Sequence, residues 1–81
     1  MTRDEAFASF TKVAVDVLSV APDKVVVDAS FADDLDADSL DLVEFVMGLE
    51  EEFDVQIPES ELEGVTTVGK AFDLVCQKLA I

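Results

Sequence analysis

The chain has 81 residues, 51% of them apolar, and carries 19 acidic against 5 basic side chains, a net charge of −14. This length predicts one domain over residues 1–81, and the apolar content predicts a packed core rather than a disordered tail. The charge argues against nucleic acid and anionic membranes as partners, because phosphates repel it, and predicts attraction to basic protein surfaces. The chain has no His, so the usual general base and the commonest metal ligand are missing.

The cysteine count and the N-terminus bear on the cellular compartment. Cys76 is the only cysteine, so no internal disulfide can form and a reducing compartment is expected; a lone Cys of this kind is usually a structural thiol. No apolar run approaches the roughly 20 residues of a membrane span, and residues 1–5 show no signal-like apolar core. We therefore expect a cytoplasmic monomer that makes no membrane contact.

The first predicted helix begins at a capping box formed by Thr2 and Glu5. Ala21-Pro22-Asp23 predicts its end, because Pro disfavours α geometry in the residue before it. Residues 24–27 are rich in β-branched side chains but have no evident partner strand, so they predict the start of a long extended connection to Asp38. The apolar residues that recur at three- and four-residue steps on one helical face are Phe7, Phe10, Ala14, Val17 and Leu18. Phe31 and Leu35 are expected to hold the connection to the core.

The second predicted helix starts at Asp38 or Ser39 and runs to about Phe53, with Asp38 a suitable N-cap. Steps of 100° place Leu42, Phe45, Val46, Leu49 and Phe53 on an apolar side. The opposite side holds Asp41, Glu44, Gly48, Glu51 and Glu52. Leu40 and Met47 fall beside the acidic side, which predicts two exposed apolar side chains among carboxylates.

The remaining chain predicts a short helical turn and a last helix. Residues 58–63 fit one helical turn that Gly64 ends, and Thr66 or Thr67 is expected to cap the helix that follows. The apolar stripe of that helix consists of Val68, Ala71, Phe72, Val75 and Leu79. The fold predicted is all-α: a small four-helix bundle, three longer helices and one short, with a long loop between helices one and two.

Ser39 has three possible roles at the start of the second helix. A nucleophilic serine needs an adjacent base; without His only a Lys could serve, and nothing marks Lys24, the nearest in sequence, so we do not expect intrinsic catalysis. Serine at a helix start is commonly a cap. The third role is attachment of a phosphate ester by another enzyme, because free N–H groups and the helix dipole favour negative charge there.

The acidic residues around Ser39 raise two further questions. Asp34, Asp36 and Asp38 alternate like the start of an EF-hand, but the sixth position holds Ser39 instead of Gly and the twelfth holds Phe45 instead of Glu. Weak, nonspecific binding of divalent cations is the better expectation. The acidic side of the helix is either simply solvated or a docking surface on which charge steers a basic partner to Leu40 and Met47.

This stretch resembles the acyl carrier proteins, and the discrete, bacterial-type carrier of fatty acid synthesis in particular. The matching residues are Asp38-Ser39-Leu40, Asp41, Val43-Glu44, Val46-Met47 and Leu49-Glu50-Glu51-Glu52-Phe53, with Ala29-Ser30-Phe31, Asp34-Leu35, Ile57-Pro58 and Thr66-Thr67-Val68 around them. In that family a separate phosphopantetheinyl transferase joins 4′-phosphopantetheine from coenzyme A to the motif serine, here Ser39. The thiol of the arm carries an acyl thioester, so the resemblance implies a carrier and not an enzyme.

The resemblance also implies roles by position. A recognition surface for basic patches on fatty acid synthesis enzymes would consist of Asp38, Leu40, Asp41, Glu44, Met47, Glu50 and Glu51. A pocket for the acyl chain would be lined by Phe31, Val43, Val46, Leu49, Ile57, Leu62, Val65 and Ala71. A polyketide or specialised lipid pathway is the alternative setting. Asp36 stands where the family often has Gly, and Gly48 and Gly69 lie inside helices at a cost of about 1 kcal/mol each.

Overall fold

The computed structural model describes residues 1–81 and contains three α-helices, numbered α1 to α3 in chain order. They span Arg3–Leu18, Ser39–Phe53 and Val68–Leu79, with 3₁₀ turns at Pro22–Lys24 and Glu59–Leu62. The predicted all-α bundle is confirmed: the short fourth helix is the second 3₁₀ turn, and the long connection is residues 19–38, here called loop one. None of the helices has the length and apolarity needed to span a membrane.

Helix α1 begins as expected and ends earlier than expected. Thr2 and Glu5 form both bonds of the capping box, and the accepting position of the Glu5 carboxylate lowers its pKa. The helix ends at Leu18, because Ser19 adopts the left-handed conformation at φ 56 and donates its N–H to the Val15 carbonyl. The prediction that the Pro22 segment ends the helix was therefore wrong, and Pro22 instead opens the first 3₁₀ turn.

Loop one is fastened to the start of α3 by backbone hydrogen bonds. The Val68 and Gly69 amides donate to the Ala29 and Val27 carbonyls at 2.9 Å each, and the Phe31 amide donates to the Thr66 carbonyl at 3.0 Å. The expectation that this segment has no hydrogen-bonding partner was wrong. Its partner is residues 66–69, more than thirty positions later in the chain, where α3 begins. Phe31 and Leu35 are buried and hold the loop to the core, as predicted.

The core consists of a single cluster of buried apolar side chains in which aromatic rings meet edge to face. Phe10 of α1 contacts Phe45 of α2 at a centroid distance of 5.2 Å and Phe72 of α3 at 5.6 Å. Phe31 brings loop one to the same group through Phe45, at 5.7 Å. These rings join all three helices and the loop that leads to Ser39, so they position α2 against the other helices and loop one.

The two helical glycines lie where another segment approaches closely. A Cβ on Gly48 would lie 2.9 Å from Val13 Cγ1 of α1, and a Cβ on Gly69 would lie 2.7 Å from Val27 Cγ1 of loop one. The expectation that Gly48 shares the exposed acidic side of α2 was wrong, because it is half-buried where α2 packs on α1. The absence of a side chain at each glycine allows this close packing, and the lower helix propensity of glycine is its cost.

Candidate functional site

Ser39 is the first residue of α2, and its side chain is exposed to solvent. The N-cap is Asp38, whose carboxylate oxygen Oδ1 accepts the Asp41 backbone N–H at 2.9 Å. The interpretation of Ser39 as the helix cap was therefore wrong, since its neighbour performs that role. No hydrogen bond of the structure uses the Ser39 hydroxyl, which leaves the oxygen free for reaction with an external enzyme.

Asp38 and Asp41 bond reciprocally around this serine. In addition to the bond from the Asp41 N–H to Asp38, the Asp41 Oδ2 accepts the Asp38 backbone N–H at 3.2 Å. Sequence reasoning identified Asp38 as the cap but missed the reciprocal bond, since the usual capping box has Glu or Gln at the third helical position. Both carboxylates hold the first turn in one geometry and place negative charge at the positive end of the helix dipole.

The approach to Ser39 is an ordered part of loop one. Asp34 Oδ2 accepts the Ser30 backbone N–H at 2.6 Å, and the Ala37 amide donates to the Phe31 carbonyl at 2.8 Å. Leu35 and Ala37 are buried, whereas Asp36 between them is exposed and adopts φ 52, in the left-handed region. The alternating aspartates do not come together as a metal site, since no group of three candidate metal ligands is present in the structure.

The start of α2 fits a phosphodiester on Ser39. The hydroxyl is exposed, and the amides of Ser39 and Leu40 are in the first turn, where backbone N–H groups lack helical partners. Such N–H groups and the positive end of the dipole favour a phosphate. The Asp38 and Asp41 carboxylates accept N–H groups of the backbone, which offsets part of their repulsion of that phosphate.

The predicted recognition residues form a mostly exposed surface along α2. Leu40 is 66% exposed and Met47 is 58% exposed, which confirms the expectation that both apolar side chains are exposed. Asp38, Glu44 and Glu51 are exposed as well, whereas Asp41 and Glu50 are half-buried. Glu50 differs from the others because its Oε2 accepts the Ile57 backbone N–H at 2.9 Å.

A groove of about 220 Å³ lies between α2 and the second 3₁₀ turn. Its lining residues are Val43, Val46, Met47, Glu50, Ile57, Glu59 and Leu62. The structure thus brings together four of the predicted pocket residues: Val43, Val46, Ile57 and Leu62. The other four do not line this groove: Phe31, Leu49 and Ala71 are buried in the core, and Val65 packs against it.

Sequence reasoning missed three residues that line the groove: Met47, Glu50 and Glu59. Two of them carried a signal, because Met47 and Glu50 follow Val43 and Val46 by four residues, the spacing of neighbours on a helix surface. Both had been assigned to the recognition surface alone. Glu59 lies in the 3₁₀ turn, where no helical periodicity indicates its direction.

Cys76 is the only thiol of the chain and lies in α3, where it is 1% exposed. Burial raises the pKa of this thiol, so it stays protonated through neutral pH. The expectation of a structural thiol is confirmed, and Cys76 is not a candidate for holding an acyl group.

Comparison with known proteins relates these features to a family. Residues 8–75 match the family model described as "Phosphopantetheine attachment site". The chain is 52% identical over 81 residues to an acyl carrier protein of Petrotoga mobilis, covering 100% of this chain and 95% of that protein. It is 49% identical over 80 residues to an acyl carrier protein of Thermosynechococcus vestitus, covering 99% of each. The matched residues include Ser39, all of α2 and the groove.

Proposed function

Because this chain belongs to the family of acyl carrier proteins, we propose that Ser39 is the residue that holds its 4′-phosphopantetheine arm. The family carries acyl groups and does not catalyse their reactions. The arm is joined covalently and supplies a terminal thiol that forms the acyl thioester. The observation that carries the assignment to Ser39 is its free, exposed hydroxyl at the first position of α2, inside the matched residues.

The groove between α2 and the second 3₁₀ turn is the proposed shelter for the acyl chain. Its lining is mostly apolar: Val43, Val46, Met47, Ile57 and Leu62, beside the carboxylates of Glu50 and Glu59. Hydrocarbon left in water costs about 0.8 kcal/mol per CH₂. Val43 is 39% exposed, so the wall is reachable from the surface near Ser39 without unfolding the core. A mostly apolar lining favours a saturated chain, which supports fatty acid synthesis over a polyketide or specialised lipid pathway.

The acidic surface of α2 is the proposed docking site for partner enzymes. Its carboxylates would attract basic patches on the phosphopantetheinyl transferase and on fatty acid synthesis enzymes, and Leu40 and Met47 would supply the buried apolar contact. Surface pairs of this kind are weak and screened by salt, so each partner can release the carrier after its step.

We further propose that the carrier is one domain, a monomer and cytoplasmic. Its length favours one domain, and its single Cys favours a reducing compartment.

The assignment of Ser39 is tested by loading the protein with a phosphopantetheinyl transferase and coenzyme A. We expect the mass of one phosphopantetheine to be added to the natural chain and none to Ser39→Ala, which should fold normally because Asp38 caps the helix. Ser60→Ala is the matched control, since Ser60 is also exposed and should leave loading unchanged. A mass increase on Ser39→Ala would overturn the assignment.

The pathway is tested on protein isolated from its own cells. We expect mass spectrometry to find saturated or partly reduced hydrocarbon acyl groups on the arm. A population dominated by polyketide or aminoacyl groups would contradict fatty acid synthesis while leaving the carrier function in place.

A further inference from the structure

One carboxylate of the acidic surface accepts a hydrogen bond from a residue outside α2. Glu50 lies near the C-terminal end of α2, and its Oε2 accepts the backbone N–H of Ile57, seven residues later, at 2.9 Å in a partly buried position. By contrast, the bonds of Asp38 and Asp41 stay within the first turn of α2. Glu52, two residues later and outside the recognition surface, is exposed and makes no side-chain hydrogen bond.

The bond joins two residues that line the same groove. Ile57 is 5% exposed and belongs to residues 54–58, which connect α2 to the second 3₁₀ turn without regular secondary structure. Residues in such a link have few backbone partners, and the Ile57 amide has no backbone acceptor. The Glu50 carboxylate is therefore the only hydrogen-bond partner of the Ile57 amide, at a position that shares the groove lining with Val43 and Val46.

We propose that Glu50 is a positioning residue that holds Ile57 in the groove wall and so controls how well the acyl chain is shielded. This inference rests on the proposed function of the groove as the acyl shelter. Hydrogen bonds to a charged acceptor are stronger than neutral ones. Loss of the carboxylate leaves the Ile57 N–H without a partner and allows the link, with its side chain, to move away from α2.

Hydrogen exchange of the protein without its arm tests the structural half of the proposal. We expect the Ile57 amide of Glu50→Ala to exchange about tenfold faster than in the natural chain, the factor that corresponds to one hydrogen bond to a charged group. Glu50→Gln keeps an acceptor oxygen and should restore most of the protection. Glu52→Ala, the matched control, should change nothing, and an unchanged amide of Val46 in every variant shows that α2 is intact. Equal Ile57 exchange in all four proteins would overturn the proposal.

Cleavage of the acyl thioester by hydroxylamine tests the functional half. The natural carrier loaded with a medium-length saturated acyl group should be cleaved more slowly than the same acyl group on free pantetheine. Cleavage should be faster in Glu50→Ala by up to about tenfold, and Glu50→Gln and Glu52→Ala should stay close to the natural carrier. If the natural carrier does not protect the thioester from hydroxylamine, the proposal that the groove shelters the acyl chain is overturned, and with it the role of Glu50. If it protects and Glu50→Ala protects equally, only the inference about Glu50 fails.

Discussion

Asp36 occupies a backbone conformation that few residues adopt readily. Its φ of 52 lies in the left-handed region, in the loop three residues before Ser39, and its side chain is exposed without a hydrogen bond. Aspartate and asparagine tolerate this region better than other non-glycine residues. The family glycine expected at this position thus has a structural reason, and Asp36 meets the same backbone requirement in another way.

Three substitutions at Asp36 separate the effect of conformation from that of charge. Asp36→Ala, Asp36→Asn and Asp36→Gly all remove one negative charge, but only alanine strongly disfavours the left-handed region. We expect Asp36→Ala to be about 1 kcal/mol less stable than the other two, which corresponds to a melting temperature about 4–8 °C lower. Thermal unfolding followed by circular dichroism measures the difference, and equal melting temperatures for alanine and asparagine would contradict it.

Local sequence was a good guide to exposure on α2 and a poor guide to contacts between segments. The exposure of Leu40 and Met47 was predictable, because each lies beside carboxylates on a helix whose other side is apolar. The burial of Gly48 was not predictable, since it depends on Val13 of α1 lying directly opposite. The bond from Glu50 to Ile57 was missed for the same reason: it crosses between segments that have no common period.

At the level of elements, the start of α2 depends on the reciprocal bonds of Asp38 and Asp41. The cap satisfies backbone N–H groups that otherwise lack a partner at a helix start. It also determines where the helix begins and therefore which residue comes first in it. Ser39 takes that position because Asp38 precedes it as the cap.

Substitution of Asp38 measures the strength of this cap. Asp38→Asn and Asp38→Ala remove the same charge, but asparagine keeps an oxygen that can accept the Asp41 N–H. We expect Asp38→Ala to be less stable than Asp38→Asn by about 1 kcal/mol. Urea unfolding of both variants gives the difference. Coincident midpoints would show that the bond adds nothing to stability.

The elements themselves could be predicted, because the apolar periods of all three helices and the caps Thr2, Asp38 and Thr67 are local signals. The end of α1 could not, since a left-handed Ser19 has no sequence signature as clear as proline or glycine. The pairing of loop one with residues 66–69 was also hidden, because backbone hydrogen bonds between distant segments leave no side-chain pattern.

At the level of the whole molecule, negative charge is concentrated on a small body. The net charge is −14, the longest principal extent is 29 Å, and the only ion pair joins Lys78 to Glu61 at 2.7 Å. Most carboxylates therefore repel one another without local compensation, which destabilises the folded state relative to the expanded chain. This consequence of composition could be predicted from the sequence alone.

Added salt should stabilise the protein by screening this repulsion. At about 0.15 M salt the screening length is about 8 Å, well below the size of the molecule. We expect the melting temperature to rise from low salt to this concentration with NaCl, and to rise at lower concentrations with MgCl₂. A variant with three fewer charges, Asp28→Asn, Glu52→Gln and Glu63→Gln, should show a smaller increase. A melting temperature insensitive to both salts would contradict this account.

The burial of Cys76 gives the carrier a practical chemical property. Alkylating reagents attack the thiolate, and this thiol is both covered by α3 packing and held in its protonated form. A maleimide dye, spin label or crosslinker added to the loaded, unacylated protein would therefore couple selectively at the tip of the flexible arm. Such probes would report where that tip resides, in the groove or in a partner, without any substitution in the polypeptide.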